Sequence, residues 1–209
     1  GDDVLSADEA HGIDQALERL QSDYIDIVHL HSCEKELLEA GEVIRALEEA
    51  RAAGKVRAIA YSGDNDALDF AVQCGRFDSI ETSVYLCDQR VIKEAIQTAA
   101  HKGMGVIAKR PVANAPWRFA EEPTGHYAEE YWKRWQAMDI DPEGIPWQEL
   151  ALRFTLGIPG LTTAIAGTAN LEHLAENIAI AEKGPLPEAL QQKIYAAFQA
   201  KDDNWIGQT

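Results

Sequence analysis

Short apolar runs and longer amphipathic stretches alternate along the chain. Ile25, Ile27, Val28 and Leu30 form a compact run of the kind that marks a strand covered on both faces. Similar runs over Val56–Tyr61, Ser79–Thr82, Val106–Lys109 and Thr163–Ala166 predict four more strands. Helical spacing fills the intervals. Ser6-Ala7-Asp8-Glu9 reads as a capping box opening a helix with Ile13, Leu17 and Leu20 on its apolar side. A second helix spans Gly41 to Ala53 and stops at Gly54, and a third spans Asp66 to Cys74, with Asn65 as its cap and Gly75 just past its end. Further helices are predicted over Val91–Lys102, Tyr127–Met138, Pro146–Leu156, Asn170–Lys183 and Pro187–Phe198. A long irregular loop covers 111–146, and a last helix and tail occupy 187–209.

Five β-then-α units in series mean a parallel sheet with right-handed crossovers, within a single domain over 1–209. A doubly wound dinucleotide-binding sheet should show G-x-G-x-x-G after its first strand, and none is present. The long loop after Val106–Lys109 suits a barrel, whose βα loops wall the site. A closed barrel of this kind takes eight strands, and the chain supplies five.

Composition removes several function classes. A net charge of −16 over 209 residues argues against a nucleic-acid binder or an anionic-membrane binder, each of which needs a basic face. The three cysteines (Cys33, Cys74, Cys87) are odd in number and far apart, so they read as reduced thiols in a cytoplasmic protein. No run approaches a membrane span, and no signal peptide is visible. His101, His126 and the cysteines show no metal-ligand spacing, so no metal is expected. The chain begins Gly1-Asp2-Asp3 and its first methionine is Met104, which points to a processed, tagged or truncated amino terminus.

His31 sits where the first apolar run ends. In parallel α/β folds chemistry gathers at strand carboxyl ends, and a histidine there can orient a carbonyl or move a proton near neutral pH. The alternative is a histidine satisfied by backbone groups. Lys109-Arg110-Pro111 places two cations at another strand end, fit either for a pyrophosphate or acidic substrate or for neutralising acidic neighbours. Trp117, Phe119, Tyr127, Tyr131, Trp132 and Trp135 crowd the following loop, suited to a substrate wall or a subunit contact.

Four segments in order resemble the aldo-keto reductase family, over Ser6 to Leu186. Leu17-Glu18-Arg19-Leu20-Gln21-Ser22-Asp23-Tyr24-Ile25-Asp26, closed by His31, is similar to a helix-to-strand signature of that family. Gly54-Lys55-Val56-Arg57-Ala58-Ile59-Ala60-Tyr61-Ser62 resembles its next strand, and Gly103-Met104-Gly105-Val106-Ile107-Ala108 its seventh. Thr163-Ala164-Ile165-Ala166-Gly167-Thr168-Ala169-Asn170-Leu171-Glu172-His173-Leu174-Ala175-Glu176-Asn177 resembles the eighth strand and the helix after it.

The resemblance implies a (β/α)8 TIM barrel, here lacking its first three strands, that reduces small carbonyl substrates with a nicotinamide cofactor, NADP or alternatively NAD. Of the family's Asp, Tyr, Lys and His, only the histidine is matched, as His31. Tyr24, Tyr61 and Tyr85 do not match the tyrosine acid, although Tyr85 lies just past a strand end. Ser62 matches the serine that bonds the nicotinamide carboxamide, but Gly63 replaces the usual asparagine and Glu81 the usual glutamine. A carboxylate accepts from the amide NH₂ but cannot donate to its carbonyl. Gly167 and Thr168, before a helix capped by Asn170, match the phosphate end, with His173 where an NADPH-preferring member carries Lys or Arg. Glu176 and Asn177 match the pair that reads adenine.

Two functions are thus open: a carbonyl reductase, incomplete for catalysis in this chain, or a non-catalytic nucleotide-binding or interaction module retaining a cofactor cleft. Either way, five strands leave two open edges, at Ile25–Leu30 and Thr163–Ala166, and the chain is expected not to be a stable monomer but to form a homo-oligomer edge to edge, to recruit the missing strands from elsewhere, or to sit partly molten.

Overall fold

The structure is a computed structural model that describes residues 8–208, with side chains from residue 12 onward. Ser6 and Ala7 of the expected capping box lie outside the described residues. The elements are α1 (Asp8–Leu20), β1 (Ile25–His31), α2 (Lys35–Ala40), α3 (Glu42–Ala52), β2 (Val56–Ser62), α4 (Asn65–Cys74), β3 (Ser79–Ser83), a π-helical turn (Ile92–Ile96) running into α5 (Gln97–His101), β4 (Gly105–Lys109), a 3₁₀ turn (Pro116–Arg118), α6 (Glu129–Met138), α7 (Trp147–Leu156), β5 (Thr163–Ala164), α8 (Leu171–Glu182) and α9 (Glu188–Lys201). The strands follow chain order, β1-β2-β3-β4-β5, and the fold is α/β with a parallel sheet. Two compact units emerge: one holds residues 8–82 and Thr98–Val106, the other Ser83–Gln97 and Ile107–Gln208.

In the first unit, β1 pairs with β2 from Ile25↔Val56 to His31↔Ser62, and β2 pairs with β3 from Ala60↔Ser79 to Ser62↔Glu81. Alternation sends Leu30, Ile59, Tyr61 and Ile80 to one face, where all are buried and α3 and α4 pack against β2. The expectation that β1 is covered on both faces is overturned. Its burial is intermediate or exposed everywhere except Leu30, and Ile27 is 43% exposed. β1 ends the strand order, and Asp26, on the same side as Leu30 but near the opposite end of the strand, is exposed and paired with Arg57 at 2.8 Å. Apolar β-branched residues read the same in an edge strand as in a central one.

Other differences have local causes. The expected Gly41–Ala53 helix is preceded by α2, whose six residues are too short for a periodic signal. Gly41 ends α2 and begins α3 at φ 76°, a left-handed turn that a side chain would strain. The cap of α4 is Asp64, not Asn65; Asn65 is itself left-handed (φ 58°). The Asp64 carboxylate does not cap the helix but accepts a 2.8 Å bond from the Thr82 hydroxyl. Leu20, expected on an apolar helix side, is 63% exposed.

In the second unit, β4 and β5 pair through Ile107↔Thr163 and Ala108↔Ala164. β5 stops there, two residues short of the expected Ala166. Phe154 of α7 is fully buried and meets Tyr195 of α9 edge-on at 5.4 Å. The loop aromatics fold onto α7: Trp117 stacks on Trp147 at 6.3 Å and Trp135 meets the same ring edge-on at 5.2 Å. No described helix is long and apolar enough to cross a membrane.

Exposed apolar side chains concentrate at both ends of the strand order: Ile27 on β1, then Ile165 at 49%, Leu171 at 81% and Ile178 at 55% around β5 and α8. Isolated apolar residues on a surface are ordinary, but clusters beside an open strand edge drive association. Size-exclusion chromatography with light scattering should therefore report species above the 23.0 kDa monomer. Ile27→Lys and Leu171→Lys should shift the distribution toward monomer. A single monomeric peak with fully protected amides over Ile25–Leu30 would contradict this.

Candidate active site

The register of the first unit assembles the candidate site. Cα partners in a parallel ladder point to the same side, so His31, Ser62 and Glu81 stand level on three neighbouring strands. His29, Ala58, Ala60 and Ser79 share that face, two residues apart along each strand. Small side chains on β2 keep it low, and the polar groups rise around it. The amide of Ser32 donates to the Ser62 carbonyl (2.8 Å) and that of Gly63 to the Glu81 carbonyl (3.1 Å), which extends the ladder past the strand ends.

His31 is exposed at the tip of β1. Ser62 is only 2% exposed, and its Oγ is buried without a hydrogen-bond partner. A buried hydroxyl in that condition costs about 1–3 kcal/mol, which an incoming donor or acceptor would recover. That is the condition expected of a ligand contact, and it fits the nicotinamide amide that the resemblance assigns to this serine.

Glu81 does not pair with an Arg or Lys. Its Oε2 lies 3.3 Å from His29 Nδ1, close enough for electrostatic contact yet too far out of line for a hydrogen bond, since Nδ1 has no such partner. Burial lowers the His29 pKa, with the Glu81 charge opposing that shift and His31 adding to it. His29 is a functional candidate that the sequence reading passed over. Its signal was present, a second histidine two residues before His31 and hence on the same strand face.

Gly63 explains one departure from the family pattern. A Cβ at this position would run into the Tyr61 hydroxyl and ring, so the asparagine usual in the family would require Tyr61 to move. Tyr61 is itself held: its hydroxyl donates to the Cys33 carbonyl at 3.0 Å, and burial pushes its pKa to about 12. It lies on the helix-covered face and is no proton donor for the opposite one. Tyr24 is also spoken for, with the Arg57 guanidinium 4.0 Å above its ring.

The second unit carries the remaining candidates. Thr168 Oγ1 accepts from the Asn170 amide (3.1 Å), and Asn170 Oδ1 accepts from the Glu172 amide (2.9 Å), so Asn170 caps α8 as expected. Gly167, Thr168, His173 and Glu176 are all exposed. Gly167 has open space where a Cβ would stand. Asn177 is half-buried, and its Oδ1 accepts from Gln148 at 2.8 Å. Lys109 ends β4 half-buried. Arg110 follows in a left-handed conformation (φ 56°), donates to the Gln208 carbonyl and lies 5.1 Å from the Tyr127 ring centre.

Tyr85 is core rather than rim. It is 1% exposed, meets Tyr131 edge-on at 6.0 Å, and burial drives its pKa well up. Arg134, buried on α6, was not foreseen, because an arginine between Lys133 and Trp135 on an amphipathic stretch reads as surface.

Two consequences are measurable. Below pH 6.5 the unfolded chain protonates His29 while the folded chain resists, so the unfolded state binds more protons and stability must fall with pH. Urea midpoints should decline between about pH 7.5 and 5.5, and His29→Asn should remove that part of the slope. Gly63→Ala should cost about 1–3 kcal/mol by overpacking against Tyr61. Replacing Tyr61 by Leu in the same chain should recover part of that cost, read by thermal melts.

Comparison with known proteins gives these residues a context. The model of the aldo/keto reductase family matches residues 6–197. L-galactose dehydrogenase of Arabidopsis thaliana is 27% identical over 177 residues, covering 80% of this chain and 56% of the plant enzyme. An uncharacterized oxidoreductase of Bacillus subtilis strain 168, YqkF, is 28% identical over 208 residues, covering 90% of this chain and 67% of that protein. The holo form of aldo-keto reductase AKR11C1 from Bacillus halodurans superposes with a TM-score of 0.73 at 24% identity, covering 90% of this chain and 66% of the other, a likeness of fold. This chain thus spans just over half the length of its plant relative and about two thirds of the bacterial ones. It belongs to the aldo/keto reductase family.

Proposed function

We propose that this chain is part of an NAD(P)H-dependent oxidoreductase that reduces aldehydes or ketones to alcohols, with NADP as its cofactor and NAD as the alternative. Its five βα units correspond to the last five of the family's (β/α)8 barrel. The observation that carries the reading is the buried, partnerless Ser62 Oγ, level with His31 on one strand and Glu81 on the other.

The bound cofactor would supply hydride to the carbonyl carbon. His31, exposed at the end of β1, would hydrogen-bond the carbonyl oxygen, where negative charge builds during reduction. Ser62 would hold the carboxamide, and Glu81, kept in place beside His29, would accept from its NH₂ group. In the second unit Gly167, Thr168, the amino terminus of α8 and His173 would meet phosphate, Lys109 and Arg110 would add cationic charge, and Glu176 and Asn177 would read adenine. Free Cys33, Cys74 and Cys87 suit a reducing compartment, the cytoplasm.

Tyr61 is committed to the Cys33 carbonyl and Tyr85 is buried in the other unit, so neither would serve as proton donor beside His31. A positioned acid contributes roughly 10²–10⁴-fold. The 209-residue chain should therefore bind NADPH yet show no turnover of a generic aldehyde. Fluorescence titration should show affinity reduced about fivefold by Ser62→Ala, the worth of one hydrogen bond, and further by Thr168→Asp, which sets like charge against phosphate. Unchanged affinity in both variants would overturn the assignment, and robust His31-dependent reduction would mean that an acid lies elsewhere in the chain.

A further inference from the structure

Arg134 is 5% exposed, and among the described residues no carboxylate lies within ion-pair distance of it. Only one of its three guanidinium nitrogens is satisfied: Nη2 donates to the Ile206 carbonyl at 2.9 Å, while Nε and Nη1 are buried without a partner. Trp205 lies with its ring 5.3 Å from the guanidinium carbon. A cation taken out of water is costly unless an anion or a full set of acceptors replaces its hydration. One neutral carbonyl and an aromatic face do not. Tyr85, packed edge-on against Tyr131 of the same helix, brings a second buried donor with no acceptor.

Which nitrogen is occupied matters. A guanidinium offers two bidentate edges to a carboxylate, Nε with Nη2 and Nη1 with Nη2. Nη2 belongs to both. Each fork uses a different one of its two N–H bonds, so the Ile206 carbonyl, accepting from one of them, closes one fork.

The blocking segment is anchored at its base by side chains and beyond it by main-chain groups. Asp202 pairs with Arg90 (2.8 Å) and accepts from the Trp205 amide (2.9 Å), and the Trp205 ring meets Phe198 at 5.7 Å. Beyond that anchor the Ile206 side chain is 65% exposed and adds little to the core. Ile206 and Gln208 instead touch the protein through carbonyls, on Arg134 and Arg110 respectively.

We propose that Arg134 is the binding residue for a small carboxylate, and that the strap Ile206–Gln208 covers this site and is displaced when the carboxylate takes the closed fork. A carboxylate, with one negative charge in a planar fork, matches one guanidinium better than a phosphate does, whose charge approaches −2. The nearest cation in sequence, Lys133, is already tied to Glu122, Glu129 and Glu130. The inference rests on the second unit alone and stands whether or not a nicotinamide cofactor binds.

The test uses the 209-residue chain, titrated with acetate and succinate at constant ionic strength against sodium chloride. Tryptophan fluorescence and the thermal midpoint are followed together. The expected result is a saturable fluorescence change with a rising midpoint, both abolished in Arg134→Gln. Arg134→Lys keeps the charge but loses the fork, and should weaken binding at least tenfold. Ending the chain at Trp205 as its carboxamide, which leaves no terminal carboxylate beside the guanidinium, removes the blocking carbonyl and should tighten binding several-fold. Trp205→Phe should lose the fluorescence change while keeping the rise in midpoint. Responses that match chloride, that persist equally in Arg134→Gln, or that appear with inorganic phosphate but not with carboxylates would each overturn the proposal. Should Arg134→Gln fail to fold, the lysine variant and the shortened chain decide the matter, and equal binding in both would overturn it.

Discussion

Parallel register is the constraint on which the candidate active site depends. Right-handed βα crossovers bring β1, β2 and β3 side by side with their carboxyl ends together. Once Ile25 stands opposite Val56, the 3.3 Å rise per residue leaves no freedom, and His31 must stand opposite Ser62. Ser62 in turn stands opposite Glu81. A slip of one residue would turn the histidine toward α3 and α4 and bring Leu30 to the polar face. The buried side enforces the register, because Leu30, Ile59, Tyr61 and Ile80 are held between the strands and their helices. The hydrophobic half of the sheet thus positions the chemical half.

Within that frame, departures from the family pattern are coupled rather than independent. Gly63 follows from Tyr61, whose ring fills the volume that an asparagine side chain would begin in. Tyr61 is fixed in turn by the Cys33 carbonyl just beyond β1, so the strand that carries His31 also determines what can follow Ser62. Glu81 in place of glutamine has a counterpart in His29 at 3.3 Å. Burial opposes a charge on His29 while the carboxylate favours one, and the balance leaves the imidazole pKa lowered. The carboxylate thus stands against an imidazole that reaches across β2 from β1 rather than in open solvent.

Much of this was legible in the sequence, and the illegible parts share a cause. Runs such as Val56–Tyr61 and glycines such as Gly75 mark strands and helix ends by local chemistry, and the structure agrees to within a residue or two. The candidate residues His31, Ser62 and Glu81 followed from family motifs, and the ladder brings them level. What could not be read depends on partners distant in the chain. The exposure of Ile27 depends on what lies beside β1, not on its own run of β-branched residues. Asp64 gave up capping α4 for Thr82, eighteen residues on. Arg134 looks like any cation on an amphipathic helix until Ile206, seventy-two residues later, is laid against it.

The two units solve opposite electrostatic problems in an acidic chain. In the first, the acidic excess is spent on the surface, through pairs such as Arg76 with Glu48 and Lys55 with Asp14, each partly exposed and each modest in worth. In the second, a cation is drawn inside with no carboxylate of the described residues within ion-pair distance, although the chain carries 35 acidic residues against 19 lysines and arginines. Acidic groups are therefore abundant, and their absence around Arg134 is a matter of placement rather than supply. Its neighbours include a thiol, an indole and a backbone carbonyl, groups that exclude water without neutralising charge. An environment of that kind strengthens any anion contact made inside it, because the low local dielectric that makes the lone guanidinium costly also makes its pairing strong. The cost and the affinity have the same origin, and the strap stands between them.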